Sequence, residues 1–178
     1  MCGIIGAATN KPLAEKLIQG LLRQEYRGYD SSGLAVFSKD SNQIDIIKKA
    51  GKVLELKSAL EQYPLSGDTG IAHTRWATHG LPEERNAHPH QSNNEVYVVH
   101  NGIIENYKEI KTTLMALDYK FTSDTDSEVI AHLIHAKLQK DKIDLVSAVQ
   151  EATKDLHGAF ALGVIHKEEP QAVVSARK

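Results

Sequence analysis

The sequence predicts an α+β fold, a sandwich of stacked sheets covered by helices, on three observations. Several short apolar runs, VYVVH and AFALGVI among them, are hydrophobic on both faces, as strands buried between layers are. Helix-period and strand-period segments alternate irregularly rather than as a repeating βαβ unit. Two consecutive helical segments precede a final pair of strands, an order foreign to a doubly wound parallel sheet.

Taken in order, alternation and apolar runs predict strands near 3–8, 33–38, 43–48, 69–76 and 96–104, with a C-terminal pair at 159–166 and 171–176. Leu13, Leu17, Ile18, Leu21 and Leu22 share one helical face. So do Val129, Ile130, Leu133 and Ile134, followed by Leu145, Val149, Ala152 and Leu156. The stretch IIENYKEIK reads as a short extension into a helix. No repeat or low-complexity segment interrupts the pattern. The last letters, VVSARK, run out of a strand without turn or cap, which reads as a piece of a longer chain.

At 178 residues the chain has room for one sizeable core and is read as a single domain. A net charge of −2, with 25% charged residues, offers no basic surface for nucleic acid or an anionic membrane. No apolar run approaches the ~20 residues of a membrane span. The N-terminus lacks a basic and then apolar leader, Asn-x-Ser/Thr is absent, and a single Cys forms no internal disulfide. These features point to a reducing cytoplasm.

That Cys stands at position 2, in MCGIIGA. Mid-strand, a lone Cys is read as a small buried hydrophobe. At position 2, removal of Met1 gives it a free α-amino group, with a pKa of ~7.7–8.0. Nucleophile and base then belong to one residue, and no catalytic His is needed. GYDSSG lacks the Gly-x-Ser-x-Gly elbow, and no phosphate-cradling Gly-Lys-Ser/Thr loop occurs.

The remaining candidates each carry two readings. Asn101-Gly102, between apolar runs, is the signal of a tight hairpin turn; alternatively, the Asn amide and the Gly N–H form an oxyanion hole. In HTRWATHG, Arg75 is either a surface charge at a strand end or a fork for a substrate carboxylate, and Thr78, His79 and Gly80 form a polar turn. Thr125-x-x-Glu128 reads as a capping box that explains Asp124 and Asp126, while a carboxylate at that junction would also suit an ammonium group. Glu128, His132 and His135 lie on one helix side, opposite the apolar stripe, and read as a solvated face or, as the rival, a metal site. Ala-His-Pro-His at 87–90 reads as a loop.

Together, Cys-Gly-Ile-Ile-Gly after Met1, YRGYDSSG, HTRWATHG, NAHPH, VHNGIIEN and SDTDSEV resemble, in order over essentially the whole chain, the glutaminase domain of the glucosamine-6-phosphate synthases. The resemblance implies a four-layer αββα sandwich of the N-terminal-nucleophile type, spanning 1–178. It implies that Cys2 attacks the side-chain amide of L-glutamine, releasing ammonia and leaving a thioester. Asn101 and the Gly102 N–H would form the oxyanion hole. Arg75 would hold the α-carboxylate with Thr78 and His79 nearby, and Asp126 the α-amino group. Arg27 would orient the nucleophile, and Trp76 would lie over the pocket. No cofactor or metal is implied. The family continues with sugar isomerase domains that receive the ammonia, absent from this chain, and its full-length members are expected to be homo-oligomers. Two rivals remain: a metal-dependent hydrolase built on Glu128, His132 and His135, and a glutamine-binding module without turnover.

Overall fold

A computed structural model describes residues 2–27, 29–76 and 80–178, the side chain of Arg27 excepted. The chain runs β1 (Gly3–Ala8), α1 (Ala14–Gln24), β2 (Ser31–Ser38), β3 (Gln43–Ala50), α2 (Val53–Gln62), β4 (Thr69–Arg75), β5 (His90–Ser92), β6 (Val96–Gly102), α3 (Tyr107–Met115), α4 (Glu128–Asp141), α5 (Leu145–Asp155), β7 (Phe160–His166) and β8 (Val174–Arg177). The strands form two antiparallel four-stranded sheets, in the orders β1-β4-β2-β3 and β5-β6-β7-β8.

Three buried clusters separate four layers. Leu17, Ile18 and Leu21 of α1 and Leu56 of α2 pack on Leu34, Val36 and Ala72 of the first sheet. Ala35, Phe37 and Ile71 meet Tyr97, Val99 and Ile165 between the sheets. Ile130 and Ile134 of α4, with Leu145 and Val149 of α5, cover Val96, Val98, Leu162 and Val164 of the second sheet. The order is therefore helix, sheet, sheet, helix, the αββα sandwich. Each aliphatic side chain wholly buried in these clusters contributes roughly 1.5–3 kcal/mol.

The period of two then decides what reaches the space between the sheets. On β4 the inward series starts at Ile71 and continues to His73 and Arg75. On β6 it starts at Tyr97 and Val99 and continues to Asn101. On β1 Ile4 packs against that central cluster, and the same parity gives Cys2. Because β1 pairs antiparallel with β4, with Gly3 opposite Thr74, the start of β1 lies beside the end of β4. One end of the sandwich thus collects Cys2, His73, Arg75 and Asn101.

Two elements escape the sequence reading. Helix α2 buries only Val53, Leu56, Ala59 and Leu60 among charged neighbours, a narrow stripe. Strand β5 is three polar residues, His-Gln-Ser, so no apolar alternation marks it, and His90 belongs to a strand rather than a loop.

Candidate active site

Cys2 is partly buried just before β1. Its Sγ accepts the backbone N–H of Trp76 at 3.0 Å, and the next N–H, of Gly3, donates to Thr74 Oγ1 at 2.9 Å. The end of β4 therefore clamps the nucleophile candidate on both sides.

Asn101 completes the contact from the other sheet. Its Nδ2 donates to the Cys2 carbonyl at 3.1 Å, and its Oδ1 lies 2.8 Å from His73 Nε2. An amide NH2 has two donors, so one is spent on Cys2 and, among the described residues, one remains. The hairpin-turn expectation for Asn101-Gly102 is corrected here. Both residues still pair with β7, Asn101 opposite Ala161 and Gly102 opposite Phe160, and the chain leads on towards α3. Gly102 has φ +132°, and a Cβ there would stand 2.2 Å from the Ala159 carbonyl oxygen, so glycine is required.

A cavity of about 620 Å³ opens at this end and is lined by Cys2, Arg75, Trp76, Asn101, Gly102 and Asp126, with His73, His88 and His100. Arg75 is not a surface charge: it is 4% exposed, 3.3 Å from Asp30 Oδ1, and donates to the carbonyls of Gly80 and Leu81. Asp126 is also buried, with Oδ2 accepting the Ile104 N–H at 2.7 Å. Trp76 is exposed at the rim. Thr78, His79 and the side chain of Arg27 lie outside the described residues, as does Met1.

Beside the cavity the imidazoles of His73 and His88 stack with centroids 4.2 Å apart, and His88 Nδ1 accepts the His100 N–H at 3.0 Å. His100 Nδ1 lies 2.7 Å from Ser127 Oγ. Burial holds the His73 and His100 rings down to about 4 and that of His88 well below its usual value, so all three are neutral at pH 7.

Two expectations around α4 are corrected. Thr125 does not cap the helix; Ser127 precedes it, and the Glu128 carboxylate reaches back to accept four hydrogen bonds from the N–H and hydroxyl groups of Thr122 and Ser123. Burial alone would raise that carboxyl, but His132 and these donors hold it well below the usual carboxylate range. Nor is the Glu128, His132 and His135 face solvated. All three are buried, His132 against Ser92 and His135 against Tyr119, each with its own structural partner. Among the described residues no three His, Cys, Asp or Glu side chains are arranged to hold a metal ion.

The model of a glutamine amidotransferase domain family matches residues 73–178, from His73 through both sides of the cavity. The chain belongs to the glutamine amidotransferase domain family. This amidotransferase domain is 49% identical, over all 178 residues, to a glutamine–fructose-6-phosphate aminotransferase (isomerizing) of Legionella pneumophila. It is 53% identical over 177 residues to that of Pseudomonas syringae. In both cases the chain spans 29% of the relative's length. In fold it resembles the glutamine phosphoribosylpyrophosphate amidotransferase of B. subtilis, with TM-score 0.77, 23% identity, and coverage of 94% of this chain and 35% of that one. An allosteric regulatory enzyme of purine biosynthesis gives TM-score 0.73 at 26% identity, over 93% of this chain and 35% of that one.

The sequence reading missed His73, although it is the first letter of HTRWATHG. Counting back by two from Arg75 finds it.

Proposed function

We propose that this chain hydrolyses the side-chain amide of L-glutamine to glutamate and ammonia, with Cys2 as nucleophile once Met1 has been removed. The α-amino group of Cys2 takes the thiol proton, and the sulfur attacks the amide carbon. The oxygen of that amide becomes negative, and the spare Asn101 Nδ2–H, with the Gly102 N–H, stabilises it. As the tetrahedral adduct collapses, the carbon–nitrogen bond breaks, the proton passes to nitrogen, and ammonia leaves. Water then attacks the thioester carbonyl, the carbon–sulfur bond breaks, and glutamate departs with the thiol restored.

The observation that carries this reading is the contact between Cys2 and Asn101 at a cavity whose wall holds both a guanidinium and a carboxylate. That charge pair suits an amino acid zwitterion: Arg75 for the α-carboxylate, and Asp126 for the α-ammonium. Thr78, His79 and Arg27 keep the assisting roles that the resemblance implies, and Trp76 covers the bound substrate. In the whole protein the ammonia would be passed to fructose 6-phosphate on sugar isomerase domains, in a cytoplasmic homo-oligomer.

An N-terminal extension that cannot be trimmed tests the reading, because an amide nitrogen has no basic lone pair to take the thiol proton. Ammonia release should fall by the ~10²–10⁴-fold that general-base catalysis contributes, with circular dichroism and glutamine binding kept. Equal rates in processed and extended protein would overturn it. A processed protein that binds glutamine without turnover would instead mark a binding module.

A further inference from the structure

We infer that His73 is a positioning residue that sets the orientation of the Asn101 side-chain amide, so that its NH2 and not its oxygen faces the reacting carbonyl. The inference rests on the oxyanion reading of Asn101. An amide turned by 180° fills the same space, yet it would present an acceptor, not a donor, to the developing negative oxygen. Something must choose between the two orientations.

Two contacts choose the same one. The Cys2 carbonyl, 3.1 Å from Nδ2, accepts only from a donor; in the turned amide two oxygens would face each other there. On the other side His73 Nε2 lies 2.8 Å from Oδ1 and can serve that oxygen only if it carries the ring proton. Burial pushes the ring down to about 4, so at pH 7 it holds a single proton. Nδ1 has no hydrogen-bond partner among the described residues, so a proton placed there would be stranded, while Nε2 would turn a lone pair towards an oxygen. The neutral ring therefore carries its proton on Nε2, and that proton holds Oδ1 away from the cavity.

The ring is itself fixed. His73 is 1% exposed, paired with Ile4 on one side and Gly33 on the other within the first sheet, and stacked on His88. The donor thus comes from the first sheet and the amide from the second, and the contact ties the two sheets together at the reacting end.

A double-mutant cycle on the processed protein tests this. His73→Phe keeps a ring to stack on His88 but removes the donor. Its kcat should fall about tenfold or more, up to the ~10²–10³-fold expected of Asn101→Ala, with KM for glutamine within about twofold. His73→Gln, whose side-chain NH2 reaches about as far as Nε2–H, should recover most of the rate. In the Asn101→Ala background His73→Phe should add nothing, because the group it positions is gone. Melting curves establish that each variant is folded, and His73→Leu repeats the cycle if the Phe variant does not fold. A folded His73→Phe protein at full kcat, or losses that multiply across the cycle, would overturn the inference while leaving the oxyanion reading intact. Asn101→Ala at the unmutated rate would overturn the oxyanion reading itself, and the inference with it.

Discussion

Arg75 is set in place by the protein itself: Asp30 and the carbonyls of Gly80 and Leu81 fix its guanidinium at the cavity wall. A planar fork so held meets a carboxylate with two parallel hydrogen bonds and little ordering cost. Lysine has neither the plane nor the reach to serve the same carbonyls. Arg75→Lys should raise KM for glutamine by roughly 10–100-fold, the worth of a charge-assisted hydrogen bond, with a smaller effect on kcat. Steady-state kinetics with an unchanged KM would remove Arg75 from the carboxylate role. At this scale the sequence was unevenly legible. Cys2 stood out because its place behind Met1 creates a chemistry that no mid-chain cysteine has. Asn101 was obscured because Asn-Gly between apolar runs has the same spelling in a hairpin and at a strand end, and only pairing with Ala161 and Phe160 separates them.

Between β6 and α4 the segment 122–127 carries Asp126 to the cavity, and Glu128 holds it there. Its carboxylate takes both the N–H and the hydroxyl of Thr122 and Ser123, so a buried charge fastens the segment at one point. Glu128→Gln keeps the shape but turns one acceptor into a donor that faces other donors. The variant should lose about 2–3 kcal/mol of stability, the cost of spoiling charge-assisted hydrogen bonds in a buried site. KM for glutamine should rise as well, since Asp126 depends on the same segment; an unchanged melting temperature would show that other contacts suffice to hold it. The string SDTDSE has several oxygens that suit a helix start, which is why it reads as a capping box in sequence. The tertiary fold uses the glutamate instead. Likewise, the polar side of α4 looks solvated in a helical projection, but Ser92, Tyr119 and Phe121 cover it. Burial that comes from a partner element leaves no mark in the periodicity of the buried one.

For the molecule as a whole, seven strands were legible to within three residues of their observed ends, because apolar runs mark a strand covered on both faces and period-two alternation marks one covered on a single face. What the period did not reveal is the amount of imidazole packed inside. His73, His88, His90 and His100 are each buried, and burial lowers all four. Arg75 and Lys48 add repulsion to some of them, opposed by Glu128 at His90 and Asp126 at His100. The folded chain therefore binds fewer protons than the unfolded chain, whose histidines titrate near ~6.5. Stability should be complete above that pH and fall as pH drops through ~6.5. Each ring's loss continues to its folded value, about 4 for His73 and His100. At pH 5 the loss is on the order of 2 kcal/mol for His73 and for His100 taken singly, with interaction among the neighbouring rings making the sum less than additive. Glu128, held below the carboxylate range, adds its own loss only further down, below ~4.3, where the windows of His73 and His100 are closing. Urea unfolding at pH 7.5, 6.0 and 5.0 should show the midpoint falling steadily, and His73→Phe should lessen the slope by up to one proton's worth, about 1.4 kcal/mol per pH unit. A midpoint that stays constant from pH 7.5 to 5.0 would mean that the rings take up protons inside the folded protein, and that the neutral stack does not describe it.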